Sequence, residues 1–324
     1  MGKGSKDIKT LDRFEPSYIK THREGRLKDK IETLLSMLRS CVICPRRCKV
    51  NRLEGEEGYC KSGRMARVAS FNSHFGEESP LVGRYGSGTI FLSSCNLLCS
   101  FCQNYEISHL REGMEVSPNQ LADMMLQLQS MGCHNINFVT PTHMIAQIME
   151  ALPLAIDRGL HIPLVYNSSG YDSVNTLKIL EGVFDIYMPD FKFWDNSWAK
   201  RYCNAPDYRE RAIEAIKEMH RQVGDLKLTE DGIALRGLII RHLVMPEGVA
   251  GSEGVLNFIS KEISQDTYVN IMDQYRPCGK ALEDEYINRR ISAKEFREAM
   301  AIAKRVGLRR LDPRDRIRFI FVPY

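Results

Sequence analysis

Tryptophan is nearly absent, with 2 in 324 residues, and no apolar run reaches even ten residues. A membrane-spanning helix needs about 18 or more apolar residues in succession, so that class is excluded. Charge of one sign is also missing: 45 basic against 41 acidic side chains leave +4, which points to no class of partner. The start, MGKGSKDIKT, lacks the apolar stretch of a secretory signal, and Lys6 stands where a myristoylation motif needs Ser or Thr. A cytoplasmic protein is expected. Fixed-period repeats and Pro- or Ser-rich linkers are absent too. What is present is 43% hydrophobic and 27% charged side chains, enough for a sizeable core. The first thirty residues are rich in Lys and Arg, and are read as a solvated, mobile lead rather than a surface for nucleic acid or an acidic partner.

Cysteine is the informative residue. Ten are present, at 41, 44, 48, 60, 95, 99, 102, 133, 203 and 278. A chain this long and intracellular needs no disulfide staples, and the close spacings are those of metal ligands.

From Ser87 onward the pattern alternates strands with helices. Strands are expected at Thr89 to Leu92, Ile136 to Val139, Leu164 to Tyr166, Ile186 to Met188, Leu238 to Val244 and Tyr268 to Met272. Helices fit between them: from Ser117 as N-cap to near Gly132, from Ile145 to Asp157, and from Asp207 to Gly224. A hairpin is expected within Leu226 to Leu235, and a capping box at Ser292 and Glu295 opens a late helix. An earlier amphipathic helix carries Ile31, Leu34, Leu35 and Leu38, and the tail RIRFIFVPY reads as an added strand or cover. Six strands alternating with helices argue for a parallel α/β architecture, open or barrel-like.

The segment SSCNLLCSFCQNYEIS sets Cys95, Cys99 and Cys102 as C-x3-C-x2-C just after the first of these strands. Three thiolates so placed can take three corners of a cubane iron–sulfur cluster, leaving one iron open for chemistry. The competing readings are a zinc site completed by a distant side chain such as His109, and three unrelated buried cysteines. With Phe101 as the aromatic, the pattern resembles the C-x3-C-x-aromatic-C hallmark of the radical S-adenosylmethionine (SAM) superfamily. Within it, GSGTIFLSSCNLLCSFCQN is similar to a branch resembling pyruvate formate-lyase activating enzyme, over about residues 41 to 281. The resemblance implies a partial (β/α)6 TIM-like barrel over residues 87–280, with an N-terminal Cys-rich extension (1–86) and a C-terminal helix and strand extension (281–324). It also implies a [4Fe-4S] cluster and SAM as cofactors, reductive cleavage to a 5'-deoxyadenosyl radical, anaerobic conditions, and an electron donor such as a flavodoxin or ferredoxin.

Ligands of such a fold sit at the carboxyl ends of strands. After the second strand, where activating enzymes carry Gly-Gly-Glu, this chain has Thr140-Pro141-Thr142-His143. Thr140 and Thr142 are candidates for the SAM amino group, with Thr142 as a plain N-cap the alternative. Asn167 and Ser168, in Asn167-Ser168-Ser169-Gly170, are similar to the family's Thr-Asn-Gly turn and suit ribose or carboxylate contact, or form a loop. Asp190 and Lys192 share one strand face and read as SAM-pocket residues or as an internal ion pair. Arg241 resembles the arginine that approaches the SAM carboxylate in relatives, whereas His242 points the opposite way and reads as a packing residue. Phe101 is placed in the pocket by the hallmark. His74, Glu77 and Glu78 line either the substrate mouth or a solvated loop.

Upstream, Cys41, Cys44, Cys48 and Cys60 read as C-x2-C-x3-C-x11-C, enough for a tetrathiolate site. An auxiliary iron–sulfur cluster is favoured over zinc by a narrow margin. Cys133, Cys203 and Cys278 read as small buried hydrophobes. The function expected is hydrogen abstraction from a glycyl-radical enzyme, with a small molecule or another protein residue as alternative substrate. A metal-stabilised nucleic-acid-binding module is the reading from a different class, but no recognition helix or stacking-aromatic motif supports it.

Overall fold

The computed structural model describes residues 14–313; the basic start up to residue 13 and the RIRFIFVPY tail lie outside the described residues. Ten strands are found there: β1 Ala66–His74, β2 Ser87–Leu92, β3 Met114–Val116, β4 Ile136–Val139, β5 Leu164–Ser168, β6 Ile186–Pro189, β7 Lys227–Leu228, β8 Ala234–Leu243, β9 Tyr268–Met272 and β10 Arg310–Leu311. The main helices are α1 Ser17–Arg23, α2 Arg26–Ser36, α3 Pro118–Ser130, α4 Ile145–Ile156, α5 Val174–Ile179, α6 Asn196–Cys203, α7 Tyr208–Val223, α8 Ser252–Phe258 and α9 Ala293–Arg305. Among the described residues no helix is long and apolar enough to cross a membrane.

All six expected strands are present, and they run parallel in the order β2, β4, β5, β6, β8, β9, with β10 added beyond β9. Their buried, near-continuous apolar stretches suit a sheet covered on both faces. The path ends at β10 on one side and β3 on the other. The expected hairpin is β7 with β8. Several elements were not anticipated, among them β1, β3 and β10; β1 pairs antiparallel with both β2 and β3, so the sheet begins before Ser87. Its half, SFNSH, has an intermediate to exposed face and few strong strand formers, which hid it from the pattern.

Helix signals held where caps were explicit. Ser117 accepts from the Gln120 N–H while the Gln120 side chain accepts from the Ser117 N–H, and Leu121, Met125 and Leu128 are buried on one face. Ser292 and Glu295 cap α9 in the same way.

The N-terminal helices dock on the opposite side from the strand ends that carry the candidate residues. The Tyr18 hydroxyl donates to the Ile162 carbonyl at 2.9 Å, and Thr21 donates to the Gly182 carbonyl at 2.6 Å. The Asp185 carboxylate accepts from the Ser17 N–H at 3.1 Å and its hydroxyl at 2.6 Å. These partners precede β5 and β6, so α1 covers the amino ends of the strands.

Candidate functional site

At the carboxyl ends of the parallel strands lies a cavity of ≈ 360 Å³, where open α/β sheets hold their ligands. Cys95, Cys99 and Cys102 line one wall; Thr140, Asn167, Ser168, Asp190, Lys192 and Arg241 line the facing strand ends. Register explains the convergence: Val139 is opposite Asn167, Asn167 is opposite Met188, and Asp190 bridges to Arg241.

The thiol loop leaves β2 through Ser94, which has φ 72°, and turns again at Leu98 with φ 52°, conformations that L side chains rarely adopt. It is held from several directions. The Asn96 side chain donates to the Tyr171 carbonyl at 2.8 Å, and the Ser100 N–H to the Tyr202 carbonyl at 2.8 Å. The Leu97 N–H donates to Cys95 Sγ at 3.3 Å. Phe101 is buried against Phe193, Tyr202 and Tyr275, with ring centroids 5.9, 6.1 and 6.1 Å away, and also lines the cavity. The RPCGKA segment latches the same loop: the Lys280 N–H donates to the Ser100 carbonyl at 2.9 Å. Gly279 has φ 53°, and a Cβ there would meet the Tyr105 ring at 2.6 Å and the Ser100 carbonyl at 2.9 Å.

Burial pushes the Cys95 thiol up to about 12 and raises Cys102 as well. Cys99 is raised first by a hydrogen bond with Cys203 and then by burial. A metal must therefore displace protons to bind here. Among the described residues no three His, Cys, Asp or Glu side chains gather round one point as a single ion requires. A cubane takes each thiolate on a separate iron, and three cysteines lining one cavity are a donor set that suits it.

Opposite the thiols, Asp190 is gripped by two cations. Arg241 Nε donates to it at 2.7 Å, and Lys192 Nζ donates to its other oxygen. Burial alone would raise the Asp190 carboxyl, but Arg241 and Lys192 outweigh it and hold it below the ordinary carboxylate value. Burial likewise opposes charge on Lys192, and Asp190 reverses that. Arg241 Nη2 also donates to Asn167 Oδ1 at 2.7 Å. At the mouth, Glu77 Oε2 stands 3.8 Å from Arg241 Nη1, Glu77 pairs with His74 at 3.3 Å, and Asn270 donates to Glu78 at 2.7 Å. His74, Glu77 and Glu78 thus belong to the cavity rather than to a solvated loop.

Thr142 does not line the cavity. Thr140, at φ 60°, turns the chain, and Thr142 then donates to buried Asp172 at 2.7 Å. Tyr166 and Ser168 donate to the same carboxylate at 2.9 and 2.6 Å. Ser168 therefore lines the cavity with its hydroxyl already committed. Thr142 is not a side-chain N-cap either. His242 is a satisfied packing residue, bonded to the Phe191 carbonyl and Ser252 Oγ at 2.8 Å each, and burial lowers it to about 4.

Cys41, Cys44, Cys48 and Cys60 come together around a second, smaller gap, which His143 also lines. Burial pushes Cys44 up to about 12 and raises Cys60. Two residues were missed in the sequence: Cys203, which lies against Cys99, and His143 beside the four cysteines. Neither stands at a ligand spacing from its neighbours, so only the fold could have found them.

A model of the radical SAM superfamily matches residues 89–235. The uncharacterised protein MJ0674 of Methanocaldococcus jannaschii is 33% identical over 308 residues, covering 92% of this chain and 84% of that protein. Among solved structures, the FeFe-hydrogenase maturase HydG from Carboxydothermus hydrogenoformans matches with a TM-score of 0.46 at 14% identity, over 68% of this chain and 51% of its own. Native anSMEcpe with bound AdoMet matches with a TM-score of 0.45 at 11% identity, over 68% of this chain and 61% of its own. This chain spans about half to three fifths of the length of those two structures.

Proposed function

The chain belongs to the radical SAM superfamily, and from that membership we propose that Cys95, Cys99 and Cys102 hold a [4Fe-4S] cluster at which SAM is reductively cleaved for hydrogen abstraction. When bound, cluster and SAM together supply a 5'-deoxyadenosyl radical that removes a hydrogen atom from a substrate. The single observation that carries this reading is the shared cavity: three thiols on one wall face a buried Asp190, Lys192 and Arg241 across ≈ 360 Å³. That volume falls within the range of about 300–1,000 Å³ usual for small-molecule sites.

The chain's own residues then divide the work. Three cysteines leave a fourth iron without a protein ligand. Asp190 fixes the headings of Lys192 and Arg241, so neither cation must reorganise when a carboxylate arrives. Arg241 commits Nε to Asp190 and Nη2 to Asn167, and its Nη1 faces the Glu77 carboxylate at 3.8 Å, so a ligand carboxylate would share that nitrogen with Glu77. Thr140 presents a polar contact in place of the missing Gly-Gly-Glu. Phe91, Val139, Leu243 and Met272 supply apolar wall that keeps water from a reactive carbon.

The reading extends to a partial barrel for the parallel strands, to a flavodoxin- or ferredoxin-like electron donor, and to a second metal centre at the four upstream cysteines. It also extends to a backbone glycine of a partner protein as the hydrogen source, supported by the likeness of the Asn167–Gly170 and Asp190–Lys192 segments to activating enzymes. Anaerobic reconstitution with iron and sulfide, reduction and addition of SAM should yield 5'-deoxyadenosine. Cys99→Ala should lower the yield at least a hundredfold. No product from an iron-loaded wild type would end the proposal. Deuterium carried into deoxyadenosine from a labelled glycine, or its absence, decides the hydrogen source.

A further inference from the structure

The loop that joins β1 to β2, residues 75–86, lies ahead of the 89–235 segment that the superfamily model matches. It is rooted on both sides of the parallel strands. The Asn135 side chain, just before β4, donates to the Leu81 carbonyl at 2.9 Å, and Asn270 on β9 donates to Glu78 at 2.7 Å, with β5, β6 and β8 between those two strands. The Ser79 N–H donates to Asp312 at 3.2 Å, and Leu81 is fully buried in a cluster with Val165, Met188 and Ile239. Those three stand two residues before Asn167, Asp190 and Arg241, on the same strand faces. Leu81 therefore packs under the cavity floor, four residues from Glu77, which lines the cavity itself.

Glu77 is 9% exposed, yet its partners stand off. Its ion pairs are with His74 Nδ1 at 3.3 Å and Arg241 Nη1 at 3.8 Å, where a charge-assisted N–H···O bond spans about 2.7–2.9 Å. Asp190, in the same cavity, shows the contrast, with Arg241 Nε at 2.7 Å and Lys192 on its other oxygen. Arg241 is thus already committed to Asp190 and Asn167. A carboxylate this buried is destabilising unless a close donor satisfies it. Ser169 adds a second unmet group: it lines the cavity, is 8% exposed, and has a buried Oγ with no hydrogen-bond partner. His74 cannot swing in to close the gap. Its ring stands edge-on to Phe91, with centroids 5.7 Å apart at 86°, and a Cβ at Gly76 would meet its Cε1 at 2.9 Å.

The missing donor must arrive with a ligand. A metal ion needs several donors round one point, and among the described residues no three gather. A single carboxylate in a cavity whose wall includes Phe91, Leu243 and Met272 suits one positive charge on an apolar stem. The thiols, Asn167, Asp190 and Lys192 all lie inside the matched segment, whereas Glu77 lies outside it. Glu77 therefore serves what varies between members, the substrate.

We propose that Glu77, braced by His74, binds a protonated amine carried by the molecule that gives up the hydrogen atom. The identity of that molecule as substrate rests on the SAM-cleaving function proposed above, whereas the amine site stands without it.

The probe is n-butylamine, with 1-butanol as its uncharged match. Both are titrated into the anaerobically reconstituted full chain near pH 7.5, where an alkylamine is protonated, and followed by saturation-transfer NMR. The amine should bind at least tenfold more tightly than the alcohol, and saturating SAM should leave that ratio within about twofold. Glu77→Gln should bring the ratio to about one. Should that variant lose its circular dichroism, Glu77→Asp, which keeps the charge but withdraws it by one carbon, should lower the ratio at least threefold. Equal binding of amine and alcohol to the native protein, or a preference that survives loss of the Glu77 carboxylate, overturns the site. Displacement of the amine by SAM overturns it too, because Glu77 would then hold the amino group of SAM. Deoxyadenosine formation on the same native sample reads the SAM-cleaving function separately: product without an amine preference ends the amine site alone.

Discussion

Asp190 decides the electrostatics of the cavity. Its side chain is 10% exposed between Lys192 at 15% and Arg241 at 16%, so little water screens the three charges. Breaking a buried pair leaves an uncompensated charge, at a cost of about 3–5 kcal/mol. Asp190→Asn would leave two cations side by side, and about 3 kcal/mol of stability should be lost, seen as a lower urea midpoint of the metal-free protein by circular dichroism. Adding Lys192→Met should restore part of it. An unshifted midpoint for Asp190→Asn would mean that the three charges are not energetically coupled. At this scale the sequence was legible where side-chain period alone sets direction: Asp190 and Lys192, two apart on an extended segment, do face one cavity. It was not legible at Thr142, because the heading of a residue beyond a strand end depends on the backbone turn, and Thr140 takes a left-handed one.

Elements were readable when local and tertiary preferences agreed. The six parallel strands announce themselves because burial on both faces demands continuous apolar runs, and α3 and α9 because their caps are written in Ser and a Gln or Glu three residues on. Strand β1 and helix α1 lack such agreement; what holds α1 is a distant carboxylate. Asp185 is buried, caps the Ser17 N–H, and burial raises it to about 6 despite that hydrogen bond and nearby Arg236. An acid whose value is raised on folding binds its proton more tightly in the folded state. Its contribution is therefore full below about pH 4 and is lost as pH rises through about 6, by up to roughly 3 kcal/mol. Stability measured by urea unfolding from pH 4 to pH 7 should fall by that term in the native chain, and Asp185→Asn should remove it. Parallel curves for the two proteins would assign the pH dependence elsewhere.

Across the whole molecule, the N-terminal region connects the two ends of the sheet. Helix α1 covers the amino ends of β5 and β6, α2 packs on α4, and the cysteine segment then reaches the carboxyl ends, where Arg46 and His143 touch the thiol loop. The cysteine spacing singled this segment out, but not its position against the thiol loop, which depends on contacts from residues 96, 143 and 203. The segment has little structure of its own. Between α2 and β1 the only helical piece among the described residues is the three-residue turn Arg52–Glu54, and the backbone ties are local turns and short bridges such as the Cys41 N–H to Val50 carbonyl bond at 2.9 Å. Four thiols and a buried arginine are poor material for a core, and a bound metal would add ordering free energy to this segment. Hydrogen exchange should then separate two units. With metal removed under reducing conditions, amides of residues 41–62 should exchange at least a hundredfold faster than in the loaded protein, while those of β4, β5 and β6 keep most of their protection. Equal protection of 41–62 with and without metal would mean that packing alone holds the segment, and that the thiol loop needs no metal at its back to keep its shape.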